Sequence, residues 1–103
     1  MYTVMNRIAV PAVGAEAFEE RFAASMRTTL PGVDGLLEAR LLRPQQEGGV
    51  YVAVMDFTGG EAFAAWMRSE SFRAAHGLSG GGESADGAGG GVETFDTVVS
   101  VGA

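Results

Sequence analysis

The chain contains no cysteine. That absence removes disulfide staples, zinc–thiolate sites and thiol catalysis together. Histidine is almost as scarce, with His76 the only one. A transition metal held by this chain would find in His76 almost its only nitrogen or sulfur ligand. Charge is sparse and unbalanced: charged residues make up 19%, with seven basic against thirteen acidic, for a net charge of -6. No basic run interrupts that balance, so neither a nucleic acid nor an anionic membrane surface is an expected partner. No apolar stretch approaches the length of a transmembrane helix. The opening Met1–Val4 lacks the basic region and long apolar core of a signal peptide. The expected compartment is the reducing cytoplasm.

What is present is ample for one modest core. Hydrophobic residues account for 47% of 103, which suits a globular chain and one domain spanning 1–103. Residues 2–10 (YTVMNRIAV) are rich in β-branched and aromatic types and end at Pro11, which predicts a strand. Over 15–29 the period changes. Phe18, Phe22, Met26 and Leu30 recur every fourth residue, predicting an amphipathic helix closed by Pro31–Gly32. Strands are expected at 36–43 and 50–57, joined by a short polar hairpin loop. The second of these is apolar on both faces, as in a strand covered on both sides.

Thr58-Gly59-Gly60-Glu61 has the spacing of a capping box, predicting a helix that carries Phe63, Trp66 and Met67 on its apolar face. Ser69 can cap a further short helix over 70–76, which Gly77 would end. Residues 78–91 (LSGGGESADGAGGG) have almost nothing to bury and read as a flexible loop. These glycines make no nucleotide fingerprint, since no strand–GxGxxG–helix context surrounds them and no P-loop lysine follows. A strand-like segment, 92–101, closes the chain. The order β-α-β-β-α-β, with its second helix broken, predicts an α+β ferredoxin-like fold: an antiparallel sheet with its helices on one face. The uncovered face would leave Met5, with Ala39 and Leu41 or their neighbours, in water. Packing two such sheets together as a homodimer removes that exposure.

Three residues of different chemistry mark a candidate pocket. Asn6 interrupts an apolar strand, where an amide has poor β-propensity and needs hydrogen bonds if buried; it either serves a site or simply faces solvent or a neighbouring loop. Trp66 is the only tryptophan, and such a residue is commonly core. His76 is either a ligand or a helix-end histidine whose cation the helix dipole favours.

The element order, the segment YVAVMDFTGGEAFAAWMRSESFRAAHG and the early strand asparagine resemble the antibiotic-biosynthesis monooxygenase (ABM) superfamily of dimeric α+β barrels. Within it, Asn6, Trp66 and His76 together resemble the IsdG-type haem-degrading monooxygenases. The resemblance implies haem as both cofactor and substrate, with His76 as the axial ligand to iron. It implies that Trp66 presses on the porphyrin plane and that the Asn6 amide donates to oxygen near the iron. Phe22, Met26, Phe63, Met67, Phe72 and Leu78 would line the cleft, each equally readable as plain core. Propionate partners would come from Arg7, Arg21, Arg27, Arg68 and Arg73. Molecular oxygen and an external electron donor, from a reductase or a small reducing molecule, complete the requirements. The loop at 78–91 would act as a lid. Two other functions fit the same residues. One is a cofactor-independent monooxygenase for quinols or polyketides, with His76 as base. The other is a non-catalytic haem-binding dimer.

Overall fold

The computed structural model describes residues 1–78 and 91–102, with side chains for all of these except 75–78. Strand β1 (Tyr2–Ile8) is followed by a short 3-10 turn and helix α1 (Ala15–Thr29). Then come β2 (Leu36–Leu42), β3 (Tyr51–Phe57), helices α2 (Gly60–Met67) and α3 (Glu70–Leu78), and β4 (Gly91–Asp96). The sheet order is β2-β3-β1-β4 with every pair antiparallel. This is the expected ferredoxin-like α+β arrangement.

Strand alternation divides the sheet into two faces. Val4, Asn6 and Ile8 lie opposite Met55, Ala53 and Tyr51, so these residues share the helix-covered face. The core there forms two clusters. Val4, Phe57, Phe63 and Trp66 make one, with Leu30, Leu36 and Phe72 packed around it. Ile8, Phe18 and Tyr51 make the other, with Phe22 and Leu41 against it. Phe57 is fully buried, and burying such a side chain contributes about 1.5–3 kcal/mol.

The other face carries Thr3, Met5 and Arg7 opposite Asp56, Val54 and Val52. No helix covers it among the described residues, so β3 is not sandwiched between two layers as its apolar pattern suggests. Val54 is nonetheless only 2% exposed, because Met5 and Arg40 stand opposite it on the two flanking strands. Ala39 and Leu41 pair with Met55 and Ala53 and therefore face the helices. Only Met5 of the three expected surface residues lies on the open face, beside Leu42 and Phe95.

Element ends depart from the sequence reading where partners run out. Strand β1 stops at Ile8, opposite the first residue of β3. Strand β4 stops at Asp96, opposite Tyr2. Only the Thr97 amide continues the ladder, donating to the Met1 carbonyl at 2.9 Å. Residues 98–101 therefore form no strand. The capping box does not form. Gly59 is the N-cap of α2 with no side-chain bond, and its carbonyl takes the Ala62 and Phe63 amides. Ser69 does cap α3, its hydroxyl accepting the Phe72 amide at 3.2 Å. Gly77 does not end that helix, which runs on to Leu78. The loop expected at 78–91 begins and ends in these elements, and its remainder, 79–90, lies outside the described residues.

Candidate active site

Between α1, the sheet and the α2–α3 pair lies an apolar cavity of about 280 Å³. Its floor is the helix-covered face of the sheet, with Val4, Asn6, Ala53, Met55 and Val92. Helix α1 contributes Phe22, Ser25, Met26 and Thr29, and Phe63, Trp66, Met67 and Phe72 close the other side. The even positions of β1 point inward, which is why Asn6 arrives here among apolar residues. It is half-buried.

Trp66 is 8% exposed and belongs to the aromatic core as well as to the cavity wall. Its ring stands edge-on to Phe72 with centroids 4.9 Å apart, a favourable quadrupole arrangement. Phe57 and Phe63 lie at 6.1 and 6.3 Å on its other sides. The indole N–H donates to the Ser71 hydroxyl at 3.2 Å.

Of the residues singled out from the sequence, the cavity unites Asn6, Trp66, Phe22, Met26, Phe63, Met67 and Phe72. Met67 sits at the rim, 44% exposed. The backbone of His76 belongs to α3; its side chain, like that of Leu78, lies outside the described residues. The arginines divide. Arg7 pairs with Glu93 on the open face at 3.2 Å, and Arg73 with Glu70 at 3.4 Å. Arg27 borders a separate groove along the β2 edge. Arg21 and Arg68 are exposed away from the cavity lining.

Sequence reasoning missed Ser25 and Thr29, both buried at 3% and 9% exposure. The Thr29 hydroxyl donates back to the Ser25 carbonyl at 2.8 Å. The signal was there, since positions 22, 25, 26 and 29 follow helical spacing from Phe22. An apolar-only search passes over hydroxyls. Among the described residues no three histidine, cysteine, aspartate or glutamate side chains gather to hold a metal ion. None of the described helices is long and apolar enough to cross a membrane.

A second polar cluster lies outside the cavity. Arg43 makes two bonds to the Glu19 carboxylate, at 2.6 and 2.7 Å, and the Tyr51 hydroxyl donates to the same group. Hydrogen bonds from Arg43 and then Tyr51 hold the Glu19 carboxyl down at about 2. The same bond to Glu19 pushes the Tyr51 phenol up.

A sequence profile described as antibiotic biosynthesis monooxygenase matches residues 1–78. The chain belongs to that family. Solved structures similar to this antibiotic biosynthesis monooxygenase family member include an arginine-to-serine variant of MhuD with two manganese protoporphyrin IX molecules per active site. It is 30% identical over 100% of both chains, with a TM-score of 0.81. The haem degrader MhuD from Mycobacterium tuberculosis, with two haems bound in its active site, is 28% identical. That match covers 99% of this chain and 100% of that one, with a TM-score of 0.79. SnoaB, a cofactor-independent oxygenase from Streptomyces nogalater, shares the ABM fold at 24% identity and a TM-score of 0.71, covering 97% and 95% of the two chains. Among curated proteins no match was found.

Proposed function

We propose that this protein is a haem-degrading monooxygenase that opens the porphyrin ring and releases its iron. The observation that carries the reading is the meeting of the Asn6 amide and the Trp66 indole in one apolar cavity, beneath the helix pair that bears the only histidine. Likeness to the haem degrader MhuD along the whole chain supports it. The cavity fits the group in chemistry, with an apolar lining and few polar atoms. At about 280 Å³ it lies at the small end of ligand pockets, so a porphyrin would extend beyond it.

His76 would supply an imidazole nitrogen to the haem iron, which when bound brings the capacity to activate molecular oxygen. The remaining work belongs to the protein. Asn6, in the cavity lining, would offer an N–H donor toward negative charge developing on the oxygen reactant. Trp66 would form a rigid wall for a flat macrocycle, with Phe22, Met26, Phe63, Met67 and Phe72 excluding water. Electrons come from an external donor, a reductase or a small reducing molecule, and we place the activity in the reducing cytoplasm. We further propose that two copies pack by their open sheet faces as a homodimer.

Titration of the purified protein with haemin tests the reading. The expected result is a shifted Soret band that His76→Ala abolishes. Aerobic incubation with ascorbate and catalase should then bleach that band with release of free iron. A shifted band that persists under these conditions means haem binding without catalysis. The small cavity favours a second reading, a cofactor-independent oxygenase acting on a compact aromatic substrate. Absence of any Soret shift would select it.

A further inference from the structure

The second residue of α3 does two jobs with one hydroxyl. Ser71 accepts the Trp66 indole N–H at 3.2 Å and donates to the carbonyl of Thr29. A serine hydroxyl has one proton to give and lone pairs to receive, so both bonds form at once. Each partner needs it. An indole N–H is a donor only, and a buried one requires an acceptor. The Thr29 carbonyl is among the last four of α1, which have no partner within their own helix. The amide four residues on, at Val33, bonds to Leu30 instead.

Ser71 thus joins the end of α1 to the side chain of α2 that forms the cavity wall. It lies in the first turn of α3, which the Ser69 hydroxyl caps by accepting the Phe72 amide. Ser69 also donates to the Trp66 carbonyl, at 2.5 Å, so Trp66 is held at its backbone and at its ring. The edge-on contact with Phe72 further restricts the indole.

We infer that Ser71 is a positioning residue of this site, fixing through its hydroxyl the angle at which the Trp66 indole meets a ligand in the cavity. Its consequence for turnover rests on the haem-degrading reading, because a flat macrocycle takes its tilt from the wall it lies against. A displaced wall would change the tilt of a macrocycle held against it, and with it the edge presented to oxygen.

The only tryptophan provides the probe, since it yields a single indole N–H peak in a proton–nitrogen correlation spectrum. In the apoprotein, Ser71→Ala is expected to move that peak upfield and speed its exchange with solvent. Ser71→Thr keeps the hydroxyl and is expected to restore both. With haemin, ascorbate and catalase, Ser71→Ala should change the ratio of ring-opened isomers, and Ser71→Thr should return it to the wild-type ratio. An indole peak unmoved in Ser71→Ala overturns the inference, as does a wild-type indole proton exchanging at the solvent rate. A moved peak with unchanged isomer ratio and turnover overturns the positioning role. Should Ser71→Ala fail to fold, the wild-type exchange rate and Ser71→Cys, with its weaker acceptor, decide the same point. A wild type that takes up no haemin defeats the haem reading, and with it the effect on turnover; the apoprotein peak then judges the hydrogen bond alone.

Discussion

Asn6 stands where the pleat of β1 otherwise sends Val4 and Ile8, into the helix-covered face. An amide there costs desolvation and gains little from packing. Its removal should therefore leave the fold intact and act on chemistry. Asn6→Ala is expected to bind haemin as the wild type does and to lose about 10²-fold or more in kcat, the usual cost of deleting a donor aimed at developing charge. Single-turnover decay of the Soret band under ascorbate measures it. At this scale the sequence was partly legible. An amide in an apolar strand and a lone tryptophan on an apolar helix stand out by type. Ser71 does not, because nothing local says that its hydroxyl meets an indole five residues back and a carbonyl forty-two residues away.

Elements are locked to one another by a few contacts that can be tested singly. Arg43 and Tyr51 both grip Glu19, tying α1 to β3 and to the chain just beyond β2. The Glu19 carboxyl, held at about 2 in the folded protein, titrates near 4.3 in an unfolded chain. A depressed folded value favours the folded state above the unfolded one, and that contribution disappears as pH falls through about 2. Urea midpoints of wild type and Glu19→Gln should thus differ at neutral pH and converge between about pH 4.5 and pH 2. The turn before β2 supplies another lock. Gly35 has φ +79, and a Cβ there would lie 2.4 Å from the Ala62 Cβ of α2. Gly35→Ala combines left-handed backbone strain with overpacking and should cost about 2–4 kcal/mol by chemical denaturation. Helix periodicity made α1 readable to its last residue. The capping box at Thr58 misled because Gly59, with no side chain, takes the N-cap position itself.

Across the whole molecule the sheet is asymmetric. One face is roofed by three helices, while the other presents Met5, Val52, Leu42 and Phe95 among the Thr3–Asp56 and Arg7–Glu93 pairs. Leu42 and Phe95 are 40% and 46% exposed, and beyond β4 Val98, Val99 and Val101 are more than three-quarters exposed. Apolar area of this kind is removed from water when two copies associate. The ion pairs contribute little by themselves, being solvent-screened. Light scattering on a sizing column should give twice the chain mass for wild type, and the monomer mass for Phe95→Asp at the same concentration. A wild type that elutes as a monomer at high micromolar concentration would remove the dimer from the account.

Period and chain order made the architecture legible, because a segment with a 3.6 or 2 pattern gathers its apolar residues on one side only as a helix or as a strand. Composition determined that His76 is the only imidazole this chain can offer a metal. Only tertiary structure decided which strand faces look inward, turning Ala39 and Leu41 toward the helices, since a register is settled by the partner strand. It alone decided that the Ser71 hydroxyl meets the Trp66 indole. Spacing can place a hydroxyl on a helix face, but what it bonds to depends on elements that meet only after the chain has folded.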